Sequence, residues 1–121
     1  MGIDFTDPNW DRRIAFADAF SGRVEANELT SGAINYAKSI DADITALGFL
    51  QDYQPVTSTE ELNGIEVPTL VIAGDKDTDN GNPRDLQLAI PNSALTIVVG
   101  DHNNTYRQEN FASAILSFLQ D

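Results

Sequence analysis

The stretch VIAGDKDTDNGNPRDL, residues 71–86, sets Asp75, Asp77, Asp79, Asn80 and Asn82 close together, and the chain's single histidine, His102, follows in VVGDHNNTY. Side chains of these types can hold a cation, cap a turn, or serve as the acid partner of a histidine. The calcium reading is the weakest. Asp75, Asp77 and Asp79 match the first, third and fifth places of an EF-hand-type loop. Asn80, however, stands where the sharp-turn glycine belongs, and Leu86 where a bidentate carboxylate is required. A turn rich in Asp and Asn, bonding back to its own backbone, explains most of these residues whatever else they do. No metal-ligand spacing surrounds His102, so neither a metal nor a cofactor is expected.

An acid–base pair is the third reading, and it depends on what positions the two side chains. VPTLVIAG is a short continuous apolar run, bracketed by Pro68 and Gly74, and ALTIVVG is a second. Runs without alternation suit strands covered on both faces, as in a parallel sheet. Between them Asn82–Pro83 opens a helix with Leu86, Ala89 and Ile90 inward, stopped by Pro91. The last helix, about 107–120, places Phe111, Ile115, Phe118 and Leu119 on one side. Strand, helix, strand, helix implies two parallel strands, about 69–74 and 94–99, joined by a crossover. Asp77 and His102 then lie just past the carboxyl ends of adjacent strands, the side on which open α/β sheets place their chemistry. With strands ~4.8 Å apart, loop side chains can close the remaining gap. A carboxylate there fixes the histidine tautomer and stabilises the imidazolium.

Upstream, residues 1–64 read as helical. Asp7–Pro8 is an N-cap and first-turn pair. Trp10, Ile14 and Ala17 mark one face with Phe16 and Phe20 beside it, and Gly22 is a stop. A second helix starts near Thr30–Ser31, and Ile34, Ala37, Ile40, Ile44, Leu47 and Leu50 continue its period toward Pro55. Ser58 and Glu61 form a capping box closed by Asn63–Gly64. The helical segment 1–64 and the strand–helix unit 65–121 are expected to make one domain. Two parallel strands alone leave open edges, so the sheet needs cover from the helices or strands from another chain.

Composition narrows the partners. With 19 acidic against 7 basic residues the formal charge is −12, which repels phosphate backbones and anionic lipid heads. Neither nucleic acid nor membrane is expected. Cysteine is absent, which removes thiolate chemistry and sulfur ligation. No signal-type apolar run opens the chain, and a soluble, cytoplasmic protein is expected.

From VPTLVIAGD through the final SFL the chain resembles the C-terminal end of the α/β-hydrolases: an acid strand, a Gly-x-x-Asp turn, a helix running into Ile-Pro, a strand leading to the histidine loop, and a helix closing in Phe-Leu. By that resemblance Asp77, the last residue of Gly74-x-x-Asp77, is the triad acid and His102 the general base, while Asp75 belongs to the turn only. Ile90–Pro91 and Phe118–Leu119 match structural positions. For residues 1–62 the likeness is loose, to the lid helices of such enzymes, whose aromatics Trp10, Phe16, Phe20 and Tyr36 serve as core, interface or acyl-pocket lining. The family's nucleophile elbow, G-x-S-x-G, is absent. Ser21, Ser31, Ser39 and Ser58 precede Asp77, none with glycines at both required places, and Ser31 and Ser58 read as helix caps.

Three outcomes stay open. The chain is the C-terminal portion of a serine-type ester or acyl hydrolase, supplying Asp77 and His102 to a nucleophile carried elsewhere and inactive by itself. Or it is a non-catalytic remnant that completes its sheet as a homo-oligomer. Or it is a small acidic protein whose helices suffice to cover the sheet, with an unrelated role.

Overall fold

In the helical half, sequence chemistry sets where each element stops. The computed structural model describes residues 6, 7 and 10–120. Helix α1 runs Asp11–Ser21 and ends at Gly22, whose φ of 80° is the left-handed conformation that glycine adopts without cost. Trp10 precedes it with a non-helical ψ of 119°. The helix therefore starts later than the Asp7–Pro8 pair implies; Pro8 lies outside the described residues. The apolar period from Ile34 to Leu50, read as a single helix, is two: α2, Ser31–Ser39, and α3, Ile44–Asp52. Asp41 takes a left-handed φ of 58°. The amide of Ala42 then reaches the Ala37 carbonyl at 2.9 Å, and that of Asp41 reaches Lys38 at 3.1 Å, closing α2 in a Schellman motif. Asp43 reopens the helix by accepting from the Ala46 amide at 3.0 Å.

Entry to α2 also differs from expectation. Ser31 is a helical residue rather than a cap; Asn27 Oδ1 accepts from the Leu29 and Thr30 amides, and Thr30 Oγ1 accepts from the Asn27 amide. Phe20, Ile34 and Ala37 form the core of this half, with Phe16, Ile44 and Leu47 packed on it. Ile14 stays exposed, so the buried stripe of α1 runs through Ala17 and Phe20 instead. At the end of α1, Arg23 donates to Asp18 at 2.9 Å and, as a two-pronged fork, to Asp52 at 2.8 and 3.1 Å, tying α1 to α3. Those bonds hold the Asp52 carboxyl below its ordinary value and push the Arg23 guanidinium further up.

The second half opens with α4, Thr59–Asn63, capped as expected: Ser58 Oγ accepts from the Glu61 amide at 3.1 Å, and Glu61 Oε1 accepts from the Ser58 amide at 3.3 Å. Strand β1, Thr69–Gly74, pairs in parallel with β2, Ser93–Val98, in a register from Thr69↔Ser93 to Gly74↔Val98. Helix α5, Pro83–Ala89, makes the crossover, with Asn82 Oδ1 accepting from the Arg84 amide at 2.9 Å. Leu62 and Ile90 are buried together, with Ile65, Leu86 and Ala89 around them. Strand β2 starts one residue early because the Ser93 hydroxyl sits 2.7 Å from the Ile90 carbonyl and 2.8 Å from that of Gln87, closing the turn. A 3₁₀ turn, Thr105–Arg107, precedes α6, Glu109–Gln120, which starts two residues later than its pattern implies. Phe111, Ile115 and Phe118 are half-buried on α6, whereas Leu119 is exposed.

The described residues divide into two compact units, one from Trp10 to Val56 and one comprising Thr6, Asp7 and everything from Thr57 on. Mixed α/β architecture is thus confirmed, with a two-stranded sheet that is small and open at both edges among the described residues. No described helix is long and apolar enough to cross a membrane.

Candidate active site

Both strands of the sheet end at one side, and their following turns are bonded to each other. Beyond Gly74 the Asp75 amide donates to the Val98 carbonyl at 2.7 Å and the Lys76 amide to Gly100 at 2.9 Å, so the ladder continues past the last paired residues. The chain then reverses: the Asp77 amide donates to Gly74 at 3.1 Å, and Asp77 Oδ1 accepts from the Asp79 amide at 3.2 Å. This local turn aims the other carboxylate oxygen. Oδ2 of Asp77 lies 3.0 Å from Nδ1 of His102.

The histidine loop is equally self-contained. Gly100 has a φ of 123°, which only glycine adopts readily, and a Cβ there would fall 2.5 Å from Asn104 Oδ1. Asp101 Oδ1 accepts from the amides of Asn103 and Asn104 at 2.9 and 3.1 Å, and Asn104 Oδ1 accepts from that of Asp101 at 2.9 Å. Buried Thr105 donates its hydroxyl to the Val99 carbonyl at 2.9 Å. These bonds fix the backbone on both sides of His102.

An ionised carboxylate can only accept, so when the ring is neutral Nδ1 carries the proton. Nε2 is then the nitrogen available to take one, and the imidazolium that results faces a carboxylate. Exposure matches these roles: the Asp77 side chain is 17% accessible and that of His102 51%. Beside the pair lies a recess of about 160 Å³ lined by Val71, Asn80, Gly81 and Leu86 among others.

Both candidate residues are therefore brought together by adjacent parallel strands, as their placement in the sequence requires. Asp75 is not part of the pair. Its carboxylate accepts from the Gly100 amide at 3.0 Å, a contact across 25 residues that no local pattern signals. Asp79 stands closer: it, Asp77 and His102 each offer a ligand atom within 4.8 Å of the others, the one arrangement of this kind among the described residues. One imidazole nitrogen and two carboxylates are donors of the kind that can hold a divalent cation. Upstream serines are engaged locally: Ser21 Oγ donates to Asp18, Ser39 Oγ to Tyr36, and Ser58 caps α4.

Comparison with solved structures returns a bromoperoxidase from Bacillus anthracis, an α/β-hydrolase-fold enzyme, at a TM-score of 0.53 and 26% identity over 94% of this chain. The chain resembles part of an α/β-hydrolase fold. It spans 46% of the length of that structure, about half. Neither a protein-family model nor a curated protein sequence matches it.

Proposed function

We propose that this chain carries the acid and base of a serine-type hydrolase site, with Asp77 orienting His102 and His102 acting as general base toward an ester or other small acyl substrate. The supporting observation is the 3.0 Å contact between Asp77 Oδ2 and His102 Nδ1 at the carboxyl ends of adjacent parallel strands. The likeness to a bromoperoxidase of α/β-hydrolase fold supports the same reading. The nucleophile lies elsewhere, on a missing N-terminal half or a partner chain. Without it no acyl-enzyme forms, and losing one triad member typically lowers turnover about 10⁴–10⁶-fold. The isolated chain is accordingly inactive in practice.

A fluorophosphonate probe and p-nitrophenyl acetate test this on the chain alone. The expected result is no covalent labelling, with only slow hydrolysis above the buffer rate, which His102→Ala removes. Labelling of a serine in this chain would overturn the missing nucleophile, and hydrolysis unchanged by His102→Ala would overturn the base.

The open sheet favours a second reading, a non-catalytic remnant that pairs with a copy of itself to complete a four-stranded sheet. Sedimentation at elevated salt, where the charge of −12 is screened, would then show a dimer. A cooperatively unfolding monomer would rule that reading out.

A further inference from the structure

The turn that carries Asp77 contains a second carboxylate that does not touch the histidine. We propose that Asp75 is the positioning residue of this site, holding the loop after β2 through the Gly100 amide so that His102 stays in register with Asp77. The inference rests on the acid–base reading of Asp77 and His102 given above.

Three observations lead to it. First, Asp75 Oδ1 accepts from the Gly100 amide at 3.0 Å. The bond crosses between the acid turn and the histidine loop, two residues before Asp77 and two before His102. Second, Gly100 is buried, so its amide has no ready exchange with solvent if that acceptor is lost. Third, the approach is as close as a backbone allows: a Cβ on Gly74 would meet the Gly100 carbonyl oxygen at 2.2 Å. Gly100 is therefore gripped at both polar groups, its carbonyl by the Lys76 amide at 2.9 Å and its amide by Asp75. The two carboxylates divide the work. One holds the loop's main chain, and the other holds the ring that the loop presents.

The role requires an acceptor at the position of Oδ1 and does not require charge. An asparagine can supply that acceptor through its own Oδ1; an alanine cannot. His102 is the chain's only histidine, so its ring nitrogens give an unambiguous NMR signal. At a pH where the ring is neutral, nitrogen shifts report whether Nδ1 or Nε2 carries the proton. The wild-type chain is expected in the Nδ1–H form, with an observable through-bond coupling between the Gly100 amide nitrogen and the Asp75 carboxyl carbon. In Asp75→Ala the Gly100 amide should exchange about ten-fold faster, as befits one lost hydrogen bond. His102 should also shift toward the Nε2–H form of an unpaired imidazole. Asp75→Asn should restore both readouts.

An unchanged tautomer in Asp75→Ala, or failure of Asp75→Asn to restore it, overturns the positioning role. Should Asp75→Ala not fold, the coupling in the wild-type chain and the asparagine variant decide: absence of the coupling refutes the bond. A wild-type His102 already in the Nε2–H form would instead refute the acid–base pair itself, which separates the two failures.

Discussion

Replacing Gly74 by alanine should separate Asp77 from His102 without touching either side chain. Gly74 is not among the glycines with positive φ, so its backbone suits an L-residue and the cost comes from the new methyl alone. A Cβ there would sit 2.2 Å from the Gly100 carbonyl oxygen, 2.8 Å from its carbon and 3.1 Å from Thr105 Cβ. Backbone atoms cannot swing aside as a flexible side chain would, and reaching ordinary contact requires the loop to retreat by about 1 Å. Three bonds span that gap, at 2.7, 2.9 and 3.0 Å, and a retreat of that size takes them to or beyond the limit of a useful hydrogen bond. At about 0.5–1.5 kcal/mol each, their loss together comes to about 1.5–4.5 kcal/mol. In a unit of this size that lowers the melting temperature by at least about 6 °C. Thermal unfolding followed by circular dichroism measures the effect. Gly32→Ala, where nothing lies within 4 Å of the added Cβ, is the control for substitution itself and should be neutral or stabilising. If Gly74→Ala melts within about 3 °C of wild type with Gly100 still protected from exchange, the close approach is not what holds these turns together.

Other consequences follow from the two halves separately. Phe20→Ala removes the largest buried side chain of the helical core and should cost about 3–5 kcal/mol, seen as early loss of helical signal in urea; a cost below about 1 kcal/mol would mean this core is not the one that folds the unit. Ser58→Ala removes the hydroxyl arm of the capping box on α4, leaving the bond from the Ser58 amide to Glu61, and should lower stability by about 1 kcal/mol, with no effect on the His102 tautomer. For Asp52 the hydrogen bond from Arg23 lowers the pKa below its ordinary 3.8, so the folded chain favours the ionised form. That contribution is complete above 3.8 and disappears as pH falls through the depressed value. Urea midpoints of wild type should thus decline more steeply in acid than those of Asp52→Asn, and parallel curves would show the Arg23 fork to be energetically silent.

Features set by neighbours in the chain were legible from the sequence. The continuous apolar run before Gly74, the Asn82–Pro83 start of α5 and the Ser58–Glu61 box each combine a local conformational preference with a partner three residues away or fewer. The break between α2 and α3 was not. Ile40 and Ile44 are four apart, the spacing of one continuous helix, and only the left-handed turn at Asp41 shows that the period carries across a stop. Periodicity likewise misassigned Ile14 and Leu119, because an apolar stripe records which residues could be buried and not which of them a neighbour covers. Within the site, strand direction brings an acid of the first turn near His102 and the resemblance to the α/β-hydrolases points to Asp77 among the acids there, whereas the grip on Gly100 depends on atoms 25 residues apart at 3.0 Å.

That contrast bears on how so small a sheet can hold an acid–base pair. Strand pairing alone leaves the turns beyond Gly74 and Val98 free to diverge, since each turn is bonded mainly to itself. The Asx-type bonds of Asp77 and Asp101 fix the shape of the two turns but not the distance between them. Separation is set instead by the bonds that cross from one turn to the other and by the missing Cβ of Gly74 that allows them. A pair held in this way is in place before any ligand arrives. The geometry of Asp77 and His102 therefore depends on the two strand ends and the bonds between their turns, and not on the rest of a sheet.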